Sequence, residues 1–225
     1  MKRRHVTAAL VVAWGAGAAA SARAALTESD AASGIRAALH QAALAAIAGL
    51  GRPDGFLGNP QVRIELPRPL QQASRLLQML GQGGQLDELT TAMNRAAEQA
   101  VPEARTLFVS TVQAISVEDA LRLVHGGSTA VTDFFAAKTR APLDQRFLPI
   151  VTQVTDRAQL AQRYNAVAQR AGAMGLLQGD ERSVQTYVTA RALDGLYFMM
   201  GEEEKRIRAD PVATGSRLLR RVFGG

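Results

Sequence analysis

The sequence predicts an all-α fold: a single-domain multi-helix bundle with one short extended arm near residues 62–66. Apolar residues recur at spacings of three and four over most of the chain, which is typical of helices with one buried face. Glycine, proline and capping residues interrupt this pattern where helices would end. Only the run from Val62 to Leu66 alternates apolar and charged residues with the period of two of an extended segment. Because this run has no obvious strand partner, we expect an arm that lies across helices and ends at Pro67.

The composition suits one globular domain. The chain has 225 residues, of which 47% are hydrophobic and 20% charged, so it can bury a core. It contains no cysteine, which excludes a disulfide framework and a lipidated cysteine. The fold must therefore be held together by packing and hydrogen bonds.

The first 24 residues have the features of a secretory signal peptide. Three basic residues at positions 2–4 precede an apolar run from Val6 to Ala20, and Ala22-Arg23-Ala24 offers the small-x-small pattern of a cleavage site. The alternative is a transmembrane anchor, but the apolar run is shorter than the roughly 20 residues that a spanning helix needs. We expect cleavage after Ala24, export to the periplasm, and a single helical domain over residues 25–225.

Removal of the signal changes what the charge implies. The whole chain has a net charge of +6, with 26 basic and 20 acidic residues. The signal holds four of the basic residues and no acidic one, so the mature chain keeps 22 (26 minus 4) against 20. We therefore expect no nucleic-acid partner, and no further segment is apolar enough to span a membrane.

The helices follow in order. The first is expected from the capping residues after Thr27 to about Leu50, and the longest from about Glu181 to Arg208. Pro102 either begins a new helix or kinks a long one. We expect about eight or nine helices in all. The other apolar segments with helical spacing, some of which can belong to one helix, are Leu70–Leu80, Leu86–Ala100, Phe108–Ile115, Val117–His125, the segment after Ser128, Leu143–Val154, Leu160–Val167 and Leu218–Phe223.

Motifs for metals and cofactors are absent. The mature chain keeps only His40 and His125, and no pair of histidines has helical spacing beside a carboxylate. His125 directly precedes two glycines, where a histidine commonly meets the free carbonyls at a helix end. We expect no metal and no cofactor.

A candidate polar pocket begins with Glu203. Its spacing from Leu196, Met200 and Ile207 places it on the apolar stripe of the longest helix, whereas Glu202 and Glu204 are expected to face solvent. A buried carboxylate needs a partner, and Arg95, Arg191 or Arg208 could supply it. It would be either half of a structural ion pair, which we favour, or a functional acid.

A second polar group lies around position 95. Asn94 and Glu98 are four residues apart and share a helix face beside Arg95. The alternatives are a polar pocket near Pro102 and an ordinary surface ion pair. The full candidate pocket comprises Asn94, Arg95, Glu98, Asp194, Glu203 and Arg208.

Two further surfaces are candidates. The loop that contains Asp54, Phe56 and Asn59 carries apolar side chains, whereas loops are usually polar. Phe56 therefore either docks into the core, which we favour, or contacts a ligand. A basic cluster near the C-terminus would either favour an anionic surface or be a solvated basic end, which we favour. That cluster consists of Lys205, Arg206, Arg217, Arg220 and Arg221.

Several motifs resemble one family of exported bacterial proteins, the domain of unknown function family 4197. They are DGFLGN at 54–59, VRIELP at 62–67, MNRAAE at 93–98, VEDA at 117–120, LDGL at 193–196, EEKRIR at 203–208 and LLRRVFG at 218–224. The resemblance covers about residues 26–224 and implies an exported, helical, periplasmic protein of a Gram-negative bacterium. It implies no activity and supplies no catalytic residue.

We therefore expect a non-catalytic protein of the bacterial envelope that binds an unidentified small molecule or envelope protein. One alternative is an enzyme built on Glu203, Glu98 and Arg95. The other is peripheral association with an anionic membrane through the basic C-terminal end.

Overall fold

The computed structural model describes residues 28–67, 71, 83–124, 126–156 and 183–210. Over these residues the chain forms six α-helices, named here in chain order. They are α1 (Glu28–Leu50), α2 (Gly83–Ala100), α3 (Ala104–Gln113), α4 (Val117–Val124), α5 (Ala130–Asp156) and α6 (Val184–Ala209).

The end of α1 agrees with the prediction, and α6 begins at Val184, three residues after the predicted start at Glu181. α1 ends at Leu50, where the chain enters the turns that begin at Gly51. α6 begins after Ser183, whose hydroxyl accepts a hydrogen bond from the backbone N–H of Thr186, as an N-cap should. Pro102 lies in a 3-10 turn, Val101–Glu103, between α2 and α3. It therefore starts the next helix, where its missing N–H costs no hydrogen bond.

One boundary expectation was wrong. The segment after Ser128 and the Leu143–Val154 segment are one helix of 27 residues, α5, with Pro142 and Pro149 inside it. An internal proline costs a helix about 3 kcal/mol or more, partly by depriving the carbonyl four residues earlier of its donor. Here those residues are Lys138 and Gln145, both exposed to solvent. Water can bond these carbonyls while the other face of α5 stays packed in the core.

The helices share one hydrophobic core. Each of the six contributes buried side chains to a single cluster, and α6 packs most extensively against α5 and then α1. Phe108 of α3 meets Phe135 of α5 edge to face, with ring centroids 5.6 Å apart. The all-α bundle is confirmed, and residues 28–67, 71, 83–124, 126–156 and 183–210 contain no strand.

The extended arm is confirmed as well. Val62, Ile64 and Leu66 are buried, whereas Arg63 and Glu65 are exposed. This alternation is the burial pattern of an extended chain with one face on the core. The arm bonds α2 through Ile64 and α6 through Glu65, so it bridges the two helices.

Some expectations concern residues outside the described part of the chain. These are the signal at 1–24, the helices near 70–80 and 160–167, His125 and the C-terminal segment that holds Arg217, Arg220 and Arg221. Among the described helices, none combines the length and the apolar character that crossing a bilayer requires.

Candidate functional site

The six residues of the candidate polar pocket do not meet. Asn94, Arg95 and Glu98 lie together on α2, against the loop that follows α1. Asp194 lies on another face of the bundle with Arg140 and Arg191. Glu203 and Arg208 are near the end of α6, where each has a different partner.

The Glu98 carboxylate holds the loop that follows α1. Its Oε1 accepts hydrogen bonds from the backbone N–H groups of Phe56 (3.1 Å) and Leu57 (3.2 Å). Its Oε2 accepts from Arg95 Nη1 at 2.7 Å, and Arg95 Nη2 continues to Asp54 at 2.8 Å. The hydrogen bonds to Glu98, then to Asp54, raise the pKa of Arg95 above its ordinary value. Glu98 is 4% exposed, so this is a buried tether and not a surface ion pair.

Asn94 holds the arm as a strand partner would. Its Oδ1 accepts from the N–H of Ile64, and its Nδ2 donates to the C=O of Ile64, both at 2.9 Å. Nδ2 also donates to the C=O of Thr90 at 2.8 Å. One fully buried side-chain amide thus satisfies both backbone groups of Ile64.

The loop side chains divide between core and surface. Phe56 is fully buried, so it lies in the core, as we favoured. A Cβ atom at position 195 of α6 would lie 2.7 Å from Cε1 of the Phe56 ring, so the ring requires Gly195. Asn59 is half-buried: its Oδ1 accepts from the N–H of Gln61, and its Nδ2 contacts the sulfur of Met199. Asp54 has a positive φ of 63° and is exposed.

The expectation that Glu203 is the buried acid of α6 was wrong, because Glu204 takes that place. The side chain of Glu203 pairs with Arg206 near the surface, whereas the Glu204 side chain is 7% exposed. Glu204 accepts hydrogen bonds from the backbone N–H groups of Val131 (3.2 Å) and Thr132 (2.9 Å) and from the Thr132 hydroxyl (2.8 Å).

Arg208 is the counter-ion of Glu204. Its Nε and Nη2 donate to Oε1 of Glu204 at 3.0 and 2.9 Å, and Nη2 also donates to the C=O of Leu123. Because Val131 and Thr132 are the second and third residues of α5, the carboxylate caps the start of that helix from another helix. The structural ion pair that we favoured for Glu203 exists one residue later.

The N-terminus of α5 explains this one-residue difference. Gly201 of α6 faces it, and a Cβ there would lie 3.5 Å from the Thr129 side chain. Glu204 comes three residues after Gly201 and so lies on the same side of α6. The apolar spacing from Leu196 to Ile207 does not reveal which flank of the stripe a neighbouring helix covers.

The described part of the basic patch is locally neutralised. Lys205 pairs with Glu202 at 2.7 Å, and Arg206 pairs with Glu203. These four adjacent charges sum to zero. They give no support to the membrane alternative.

The spaces between the described residues include a slot, a depression and a groove. A slot of only about 20 Å³, between α1 and the ends of α5 and α6, has room for about one water molecule. An open depression of about 580 Å³ lies beside Arg95, Glu98 and Glu103. The third is a groove between the arm and α6, with a volume of about 420 Å³. This arm groove is lined by Gln61–Glu65 and by Tyr187, Arg191, Asp194, Gly195 and Phe198.

The arm groove brings Asp194, a predicted pocket residue, together with aromatic residues that the sequence did not single out. The side chains of Tyr187, Arg191, Asp194 and Phe198 follow one another on the outer face of α6, at spacings of four, three and four. Phe198 is 43% exposed and, with Val117, is one of two large apolar side chains in the described residues that are exposed. In the sequence, the signal for this groove is Phe198, an aromatic residue on the otherwise polar face of a helix.

Charged groups also line the arm groove. Arg63 pairs with Glu65 at 2.9 Å, and Arg191 lies over the Tyr187 ring with its guanidinium carbon 5.7 Å from the ring centroid. Asp194 pairs with Arg140 and with Arg191. The groove therefore presents both signs of charge around an exposed aromatic ring. Among the residues described, no group of three or more acidic, histidine or cysteine side chains is placed to hold a metal ion.

Comparison with known families gives one match. Residues 25–224 match the model of the family described as "Protein of unknown function (DUF4197)". The chain belongs to this family. The resemblance noted in the sequence is thereby confirmed over nearly the whole of residues 25–225. Comparison with curated proteins and with solved structures gave no match.

Proposed function

We propose that the protein is an exported, non-catalytic binding protein of the Gram-negative envelope and that the arm groove is its binding surface. The observation that carries this proposal is Phe198, a large apolar side chain left 43% exposed in a groove of ligand size. Small-molecule and peptide sites combine such an apolar contact with a few fixed polar groups, and Arg63, Arg191 and Asp194 supply those groups here.

The buried carboxylates favour binding over catalysis. A general acid or base must exchange a proton with a substrate, so it needs to be reachable and not fully used by structural bonds. Glu98 and Glu204 each accept two backbone N–H groups and pair with an arginine. Glu203 lies apart from Glu98 and Arg95, so the enzyme alternative loses its proposed constellation.

Export is supported by two independent boundaries. The basic, apolar and small-x-small pattern predicts cleavage after Ala24, and the family match begins at residue 25. The N-terminal residue of protein recovered from the periplasm tests this part of the proposal. We expect Ala25; an uncleaved chain in the cytoplasm would contradict export.

Native mass spectrometry of the gently purified protein tests the binding role. We expect an excess mass that disappears on denaturation and is lost in Phe198→Asp. Val117→Asp is the matched control, because Val117 is 37% exposed but lies away from the groove on α4. A chain without excess mass, or an excess mass that Phe198→Asp retains, would overturn the groove as the binding surface.

A further inference from the structure

We propose that the occupant of the arm groove is an extended peptide segment that adds as a strand to the outer edge of the arm. This inference rests on the proposed function and specifies its ligand. The backbone N–H and C=O groups of Arg63 and Glu65 carry this inference, and no sequence motif reveals them.

The two edges of the arm are used differently. In an extended chain the N–H and C=O groups of successive residues point to opposite edges. Asn94 bonds both groups of Ile64, so α2 occupies the inner edge. The groups of Arg63 and Glu65 then point to the outer edge, where the Tyr187 hydroxyl donates to the C=O of Glu65 at 2.9 Å.

Two backbone groups on that outer edge are unbonded among the residues that the structure describes. The N–H of Arg63 is bonded to the C=O of Asn59 at 2.9 Å. Within the described part of the chain, the C=O of Arg63 and the N–H of Glu65 have no partner. They form the acceptor and donor that one residue of a parallel strand would bond. An unpaired edge of this kind is a template for a further strand.

The surroundings suit a peptide. Phe198 offers an apolar contact for a side chain of the added strand, and Arg191 and Asp194 offer both signs of charge for its polar groups. A polyanion or a purely apolar ligand would not use this mixture. The arm is also held in its extended form by Asn94 before any ligand arrives, which reduces the entropy lost on binding.

Glu65→Pro tests the edge directly. Proline removes the N–H of residue 65 and suits an extended backbone, and that N–H has no partner within the described residues. Glu65→Ala is the matched control, since it loses the same charge and the same ion pair with Arg63 but keeps the N–H. The probe is a fluorescent octapeptide selected from a random-sequence pool on the immobilised wild-type protein.

We expect the selected peptide to bind Glu65→Ala within threefold of wild type and to bind Glu65→Pro at least tenfold more weakly. Should Glu65→Pro unfold at a lower temperature than Glu65→Ala, a series of singly N-methylated peptides takes its place. One methylated position is then expected to lose tenfold in affinity because it removes the N–H that meets the C=O of Arg63. Its two neighbours should lose far less.

Three results would overturn the inference. One is equal peptide binding by Glu65→Pro and Glu65→Ala, together with a methylation series in which no position stands out. Another is failure of any octapeptide to bind wild type more tightly than Phe198→Asp. The third is a concentration-dependent dimer that Glu65→Pro abolishes, since a second copy of the chain would then occupy the edge. An excess mass that corresponds to a small molecule and is lost in Phe198→Asp would refute the peptide as the ligand, but it would still support the proposed function.

Discussion

Glu98 and Glu204 make nearly the same contacts in two different regions. Each is a buried carboxylate on a long helix that accepts two consecutive backbone N–H groups and pairs with an arginine of its own helix. Glu98 holds an irregular loop, whereas Glu204 caps a helix. Arg95 has a side chain that is 35% exposed and also bonds Asp54, while the Arg208 side chain is 17% exposed.

This difference in burial sets the expected energies. A charge that loses its partner costs more where water cannot replace the lost bonds. Glu204 and Arg208 are both enclosed, whereas Arg95 can turn to solvent or keep Asp54. The pair of Glu204 and Arg208 therefore stabilises the packing of α6 against α5, whereas the pair of Glu98 and Arg95 stabilises the loop that follows α1.

The largest effect is expected at Glu204. Glu204→Gln removes the carboxylate that pairs with Arg208 and weakens the cap of α5, so the free energy of unfolding should fall by about 3–5 kcal/mol. Urea denaturation measures this loss. Glu203→Gln, one residue earlier and paired with Arg206 near the surface, is the control and should cost less than about 1 kcal/mol. Similar losses for the two variants would refute the distinction between these neighbours.

Glu98→Gln should cost less, about 1.5–3 kcal/mol, because Arg95 keeps Asp54 and reaches water. The amides of Phe56 and Leu57 should exchange hydrogen faster, while those of Val131 and Thr132 stay protected. Exchange followed by mass spectrometry separates the two regions. Glu103→Gln is the control, because Glu103 is exposed and lines the same depression as Glu98. If Glu98→Gln lowered the free energy of unfolding as much as Glu204→Gln, the burial of the arginine partner would not set the size of the effect.

The loop has a second attachment that involves no charge. Gly195→Ala places a methyl group against the Phe56 ring and should cost about 1–2 kcal/mol. In Phe56→Leu the smaller side chain makes room, so the two substitutions together should cost less than the sum of their separate losses. A double-mutant cycle in urea measures this coupling. Simple additivity would show that the ring and position 195 do not compete for space.

The smallest effect is expected where a helix is capped from its own sequence. At α4, the Ser116 hydroxyl donates to Asp119 at 2.9 Å and accepts from the Asp119 N–H at 3.0 Å. This hydroxyl, and then Arg122, hold the pKa of Asp119 below its ordinary value. The resulting stabilisation is present above the ordinary pKa of the unfolded chain and is lost as the pH falls through the lower folded value.

Ser116→Ala should therefore move the pKa of Asp119 up toward its ordinary value, which a carboxyl titration by NMR measures. The pKa should stay lowered in Glu118→Gln, a neighbouring exposed control. An unchanged pKa in Ser116→Ala would assign the effect to Arg122 instead. The comparison with Glu204 then separates a local, exposed cap from a distant, buried one.

Local patterns predicted the elements of the fold well. The end of α1 at Leu50 and the alternation from Val62 to Leu66 are both signals within a few residues, and the structure follows them. The shared face of Asn94 and Glu98 was predictable for the same reason. Two segments were not recognised as the single helix α5, because its two prolines resemble breaks unless exposed carbonyls and a packed face offset them.

The partners of the polar residues were not predictable. Glu98, Asn94 and Glu204 bond backbone groups 30 to 73 residues away in sequence. A backbone N–H is present at nearly every residue, so it leaves no mark in the sequence. Glu203 and Glu204 differ only in which of them faces the start of α5, a tertiary relation. The open edge of the arm is invisible for the same reason.

The hydrogen bonds between Asn94 and Ile64 determine which positions of the arm can be substituted. The amide grips only backbone, and the exposed side chains at positions 63 and 65 take no part in that grip. Substitutions at those two positions therefore leave the two hydrogen bonds between Asn94 and Ile64 in place. A chain built in this way can vary the chemistry at the rim of the arm groove without losing the attachment of the arm to α2.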